Sequence, residues 1–219
     1  MNWRTRLREA RDAVKIADWR AAAAGFVEAA ELASDEDDPG HAVSALVGAA
    51  RALAELGDHD ASFQALATAA ARVRSCGAVG DVGVYCLRDY GAELALKARY
   101  RESIEAFNNA VKLAAHDGDL EGQTAAIAAA HLLTPEAASD ALRLADLAIE
   151  RDSSRSSSKY CACLVLAGQA LLLLQQAHEA LARFQAARRI LENSGRVGVI
   201  EEVDDWIRRA ELRIEGRAD

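Results

Sequence analysis

The chain has 219 residues, 51% of them hydrophobic, and a formal net charge of −8. Fifty residues are alanine; Leu, Ile and Val supply 46 more, and Phe, Trp and Tyr together only 11. Strand-rich folds draw on β-branched and aromatic side chains, which are thin here. Alanine is the best helix former, and two prolines, Pro39 and Pro135, leave long helices unbroken. The apolar content excludes disorder, and the acidic balance excludes direct nucleic-acid binding as the leading role. An all-helical protein follows.

Taken in order, the chain divides into five helical pairs over about 3–34, 41–75, 81–116, 119–151 and 157–193, then a last helix over about 197–215. The first pair ends in Trp19, Ala22, Phe26 and Ala29. The loop from Ser34 to Gly40 (Ser-Asp-Glu-Asp-Asp-Pro-Gly) separates it from the second, with Leu46, Ala49-Ala50, Leu53, the turn Gly57-Asp58-His59, then Ser62, Leu66 and Ala69. The third carries Leu87, Tyr90-Gly91, Leu94, the break Ala98-Arg99-Tyr100, then Ser103, Phe107 and Ala110. The fourth has Ala125-Ala126, Ala129, Ala138, Leu142 and Ala145, with Thr134 as an N-cap and Pro135 as the first helical residue. The fifth follows a serine-rich stretch, Asp152 to Ser158, and carries Leu164, Ala167-Gly168, Leu171, Ala180, Phe184 and Ala187; Asn193-Ser194-Gly195 closes it. The final helix places Ile200, Val203, Trp206, Ile207, Ala210 and Ile214 on one face and serves as a cap.

Residues three and four apart share a helix face, so each helix has an apolar stripe. Small residues at Ala50, Gly91 and Gly168 let paired helices approach closely. One pair cannot bury both of its faces, so pairs must stack. This pattern resembles the tetratricopeptide repeat over nearly the whole chain. The spacing of Ala50, Gly91 and Gly168 gives a period of about forty residues, similar to the longer-helix members of that family. The resemblance implies an all-α fold: an α-solenoid, a right-handed superhelix of antiparallel helix pairs with a C-terminal capping helix, forming a single domain.

The chain lacks a phosphate-binding glycine loop, a His-Glu-x-x-His and a nucleophile elbow, so no enzyme activity, metal or cofactor is expected. The histidines sit mostly at turns or helix ends, and Asp35 to Asp38 lacks the spacing of a Ca²⁺ loop. Cys76, Cys86, Cys161 and Cys163 match no zinc pattern; the Cys-Ala-Cys pair reads as small buried thiols. No signal peptide or membrane span is seen, and a reducing, cytoplasmic location is expected.

The resemblance implies that the first helix of each pair lines an inner surface that takes peptides or partner helices. Turned about their small-residue contacts, the first helices place Arg4, Leu7, Arg8 and Arg11 inward from pair one, and Val47 and Arg51 from pair two. Pair three contributes Tyr85, Arg88 and Ala92, pair four Gln123, Ile127 and His131, and pair five Val165 and Gln169. The N-terminal arginines form a groove for an acidic peptide or simply solvate an open helix face; arginine recognises carboxylates through a planar fork. The Lys/Asn clamp for chaperone C-termini has no counterpart here. The expected function is a protein- or peptide-binding scaffold. Alternatives are a signal-sensing module acting with a DNA-binding or enzymatic partner chain, and a structural protein that self-associates. Leu171 to Leu174 leave the fifth pair apolar all round, so the fifth pair or last helix offers a self-association surface.

Overall fold

The computed structural model describes residues 2–76, 79–154, 157–194 and 197–217. It contains the helices α1 (Trp3–Lys15), α2 (Trp19–Asp35), α3 (Pro39–Glu55), α4 (His59–Cys76), α5 (Gly80–Leu96), α6 (Tyr100–Ala114), α7 (Gly118–His131), α8 (Ala138–Arg151), α9 (Ser158–Leu173), α10 (Ala177–Ser194) and α11 (Val197–Ile214). The chain divides into two compact units, Met1–Glu93 and Leu94–Asp219. The first holds α1 to α4 and the body of α5. The second holds the end of α5 and α6 to α11.

Where the turns are described, their geometry explains how one helix folds back on the one before it. Five of them place one residue in the left-handed region: Ala17 (φ 56°), Asp37 (55°), Gly57 (79°), Ala98 (56°) and Gln175 (61°). In each, the next backbone N–H reaches five residues back to a helix carbonyl, as Asp18 to Ala13, Asp38 to Ala33, Asp58 to Leu53, Arg99 to Leu94 and Gln176 to Leu171. That double closure satisfies the orphan carbonyls of one helix end. In the first unit the residue after the left-handed one then caps the following helix. Asp18, Asp38 and Asp58 accept from the backbone N–H groups of Ala21, His41 and Ala61 at 3.0, 3.2 and 3.1 Å. The bond from His41 holds the Asp38 carboxyl below its ordinary range. Only Gly57 of the five adopts a positive φ without steric cost. Replacing Ala98 by glycine is therefore expected to raise stability by about 0.5–1 kcal/mol in urea unfolding, the relief of strain exceeding the entropy added to the unfolded chain.

Two expected boundaries shift. The Ser34–Gly40 loop shrinks to residues 36–38, because α2 continues to Asp35 and α3 begins at Pro39 with Asp38 as its N-cap. Pro135 does not open α8. The Ala137 N–H donates to the Thr134 carbonyl at 3.1 Å, making an extra turn that buries Leu132 and Ala137, and α8 starts at Ala138. Gly195, expected to close the fifth pair, lies outside the described residues.

The cores are built from alanine at helix crossings and from single large side chains beside them. In the first unit Ala22, Ala42, Ala49 and Ala69 have no exposed surface, with Phe26, Leu46, Phe63 and Leu66 packed among them. In the second, Ala110, Ala125, Ala167 and Ala187 play the same part around Phe107, Leu144 and Phe184. Two glycines carry the closest approaches. A Cβ on Gly48 would stand 2.8 Å from the Phe26 ring, and one on Gly168 would stand 2.5 Å from the Phe184 ring. Arginines on the second helix of a pair fasten it to the preceding second helix. Arg72 donates to the Ser34 hydroxyl (2.5 Å), Arg143 to the Asn108 side-chain oxygen (2.6 Å) and Arg183 to the Asp146 carboxylate (2.8 Å).

The α11 helix covers part of α9 and α10. Val203 and Ala210 are fully buried, and Trp206 stacks on Phe184 with ring centroids 6.0 Å apart. Ile214, expected on the same buried face, is 36% exposed because it lies in the last turn, beyond the buried positions Val203 and Ala210. Leu171 and Leu172 are buried while Leu173 and Leu174 stay half-exposed. None of the described helices is long and apolar enough to cross a membrane.

Candidate ligand-binding grooves

In the first unit the i, i+4 spacing of Leu7 and Arg11 on α1, and of Val47 and Arg51 on α3, sets an apolar and a cationic side chain on one face of each helix. Those four converge with Tyr85 of α5 on a hollow of about 260 Å³. Leu7 and Val47 form its buried floor, at 5% and 8% exposure. A second hollow of about 370 Å³ shares Arg11, Phe26, Gly48 and Arg51 with the first and extends to Val14 and Trp19. The lack of a side chain at Gly48 is what allows the Phe26 ring to lie over α3 as a common floor.

The electrostatics of this groove turn on Asp89, one residue from Arg88 and 38 from Arg51. Its carboxylate meets Arg51 at 3.2 Å and Arg88 at 3.4 Å. The Arg88 guanidinium also lies over the Tyr85 ring at 5.0 Å. Arg11 has no carboxylate within ion-pair distance among the described residues and is exposed. Of the other residues expected here, Arg4 stacks on Trp3 at 4.5 Å, and Trp3 packs on His41, away from the hollow. Arg8 is exposed and Ala92 half-buried, and neither lines the hollow. Asp89 was missed because a carboxylate beside Arg88 carries no local signal that it will face an arginine one repeat earlier.

The expected residues of the second unit lie on α7 and α9 with differing exposure. Gln123 is exposed, Ile127 and Val165 are half-buried, and His131 is exposed with its ring stacked on Phe107 at 6.1 Å. Gln169 lines a trough of about 420 Å³ between α9 and α11. Its walls are Leu172 and Leu173 of α9, Trp206 and Leu212 of α11, and Leu133 after α7, with Arg209 and Arg213 at the rim. Trp206 and Leu212 are legible in the sequence as α11 positions, but their meeting with Leu133 is not.

Among the described residues no disulfide joins the cysteines; Cys76 is exposed and Cys86, Cys161 and Cys163 are buried. Burial, with the Asp89 charge adding to it, pushes the Cys86 thiol up to about 12, and burial raises Cys163 to about 11. Both stay protonated at neutral pH and act as small apolar side chains. Among the described residues no three His, Cys, Asp or Glu side chains gather as a metal site.

No protein-family model matches the chain, and no curated protein matches it. Solved structures do. The TPR-like repeats of a kinesin light chain-like protein from Podospora anserina superpose with a TM-score of 0.66 at 12% identity, covering 88% of this chain and 96% of that one. The C-terminal part of a TPR repeat-containing protein from Cytophaga hutchinsonii gives 0.62 at 16% identity, over 96% of this chain and 72% of that one. The Rap conjugation gene regulator of plasmid pLS20, solved in complex with a Phr peptide, gives 0.50 at 13% identity, over 98% and 63%. With its helix pairs, alanine and glycine crossings and these likenesses, the chain has the TPR-like fold, an all-α solenoid.

Proposed function

We propose that the chain is a protein- or peptide-binding module, non-enzymatic, that uses the groove of its first unit. The observation that carries this reading is the convergence of Leu7, Val47 and Tyr85 with Arg11 and Arg51 on one hollow. An apolar floor with a few polar groups at its edge is the usual form of a binding site. Asp89 already balances Arg51, so Arg11 is the cation left for a ligand. The fitting ligand is a peptide that offers one bulky apolar side chain to the floor and a carboxylate to Arg11. The Rap regulator, which binds a Phr peptide, supports the peptide class and a second reading, a signal sensor acting through a partner chain. We place the module in the cytoplasm, where its thiols stay reduced.

The experiment is capture from lysate followed by mass spectrometry, comparing the native chain with an Arg11→Glu/Arg51→Glu variant. Both positions are exposed, so the variant is expected to fold, which circular dichroism checks. Its specific partners are expected to fall at least tenfold. An unchanged set of partners sinks the groove.

A further inference from the structure

We propose that the trough between α9 and α11 is a second, separate site that binds a small amphiphilic carboxylate, its alkyl chain on the leucines and its carboxylate between Arg209 and Arg213. The trough holds about 420 Å³, within the range of small-molecule sites, about 300–1,000 Å³. Leu133, Leu172, Leu173 and Leu212 supply the apolar wall, and no acidic side chain lines it.

The two arginines set the ligand's charge. They stand one helical turn apart on α11, so both guanidiniums rise from the same face. Elsewhere in this unit Arg143, Arg151, Arg183, Arg188 and Arg208 each meet a carboxylate. Arg209 and Arg213 meet none among the described residues. Arg209 instead lies over the Trp206 ring at 4.5 Å, which holds its plane in place while leaving the N–H fork open. Arg213 donates Nη1 to the Leu172 carbonyl at 2.5 Å, near the end of α9, and keeps its other donors. Two like charges beside an apolar wall favour an anion between them, and a planar carboxylate fits the two forks. The Gln169 amide adds a neutral donor at the same rim.

The size of the site chooses the class of ligand. A hollow of about 420 Å³ walled by Leu133, Leu172, Leu173, Trp206 and Leu212, with its charged groups limited to Arg209 and Arg213, has the volume and polarity of a site for one small ligand. A single chain with one charged end fits it.

Isothermal titration of the intact chain with decanoate tests this, with decan-1-ol as the uncharged control. Decanoate is expected to bind one to one, and decanol about tenfold or more weaker, the loss typical of a charged hydrogen bond. Arg209→Gln is expected to weaken decanoate about tenfold with an unchanged melting curve, and Arg209→Lys less. The Trp206 indole N–H signal, assigned with Trp206→Phe, is expected to shift on decanoate addition. The Arg11→Glu/Arg51→Glu variant is expected to bind decanoate normally, so this site and the first groove fail independently. No saturable binding, equal binding of decanol, or unchanged binding by Arg209→Gln overturns the proposal. So does a short Leu-Leu-ending peptide with a free carboxylate binding more tightly than decanoate, which assigns the trough to the end of a partner chain.

Discussion

Replacing Phe184 by alanine is expected to cost about 3–5 kcal/mol, measured by urea unfolding with far-UV circular dichroism. The ring is fully buried, lies against Gly168 and stacks on Trp206 of α11, so its loss opens a cavity between α9, α10 and the last helix. Helices joined this closely relax little, which puts the cost at the high end for a core residue. The converse variant probes the same contact from the other side. Gly168→Ala gains about 1 kcal/mol of helix propensity. It also forces a methyl to 2.5 Å from the Phe184 ring, an overpacking penalty of about 1–3 kcal/mol. A net loss is expected, and Phe184→Leu in the Gly168→Ala background is expected to cost less than in the native chain. Strictly additive losses in that cycle would show that the glycine is not there to admit the ring.

Removing Arg151 is expected to have the second largest effect, about 2–3 kcal/mol. Its Nε lies 2.5 Å from Glu121 Oε2, and the Glu121 side chain is 9% exposed while that of Arg151 is 46% exposed. The stem of Arg151 passes over Gly122, where a Cβ would come within 2.9 Å of its own Cβ. Arg151→Met keeps that stem but leaves a buried carboxylate without its partner, and the unpaired charge is what costs. Glu121→Gln leaves an exposed arginine that water solvates, so a smaller loss of about 1 kcal/mol is expected. The double variant Glu121→Leu/Arg151→Met is expected to recover most of the stability, because no buried carboxylate is then left without a partner. A double variant as unstable as Arg151→Met alone would assign the effect to lost packing.

Much of the architecture was legible before the structure. The apolar stripes at three- and four-residue spacing located the helices, and the small residues Ala49, Ala50, Ala69, Ala110, Ala167 and Ala187 proved to be crossing positions at 0% or 1% exposure. Turns were legible where the chemistry was ordinary, as at Gly57. They were harder at Ala17, Ala98 and Gln175, where a residue with a Cβ takes the left-handed conformation because helix packing on both sides dictates it. The Thr134-Pro135 signal misled for a related reason. The burial of Leu132 and Ala137 decided where α8 could begin, and a local capping preference worth about 1 kcal/mol did not compete.

The candidate sites divide in the same way. Helical spacing alone set Leu7 with Arg11 and Val47 with Arg51 on common faces. It could not tell which charges would be spoken for, since Asp89 reaches Arg51 across 38 residues and Arg213 reaches the Leu172 carbonyl across 41. By itself, then, the amino-acid sequence determined the helices and the small side chains at which they pack, because those follow from periodicity and side-chain size along one chain segment. Tertiary structure decided which arginines stay open to a ligand and which glycine admits which ring. Those outcomes depend on the register between neighbouring helices, and a difference of one helical turn, about 5.4 Å, is enough to make or break an ion pair.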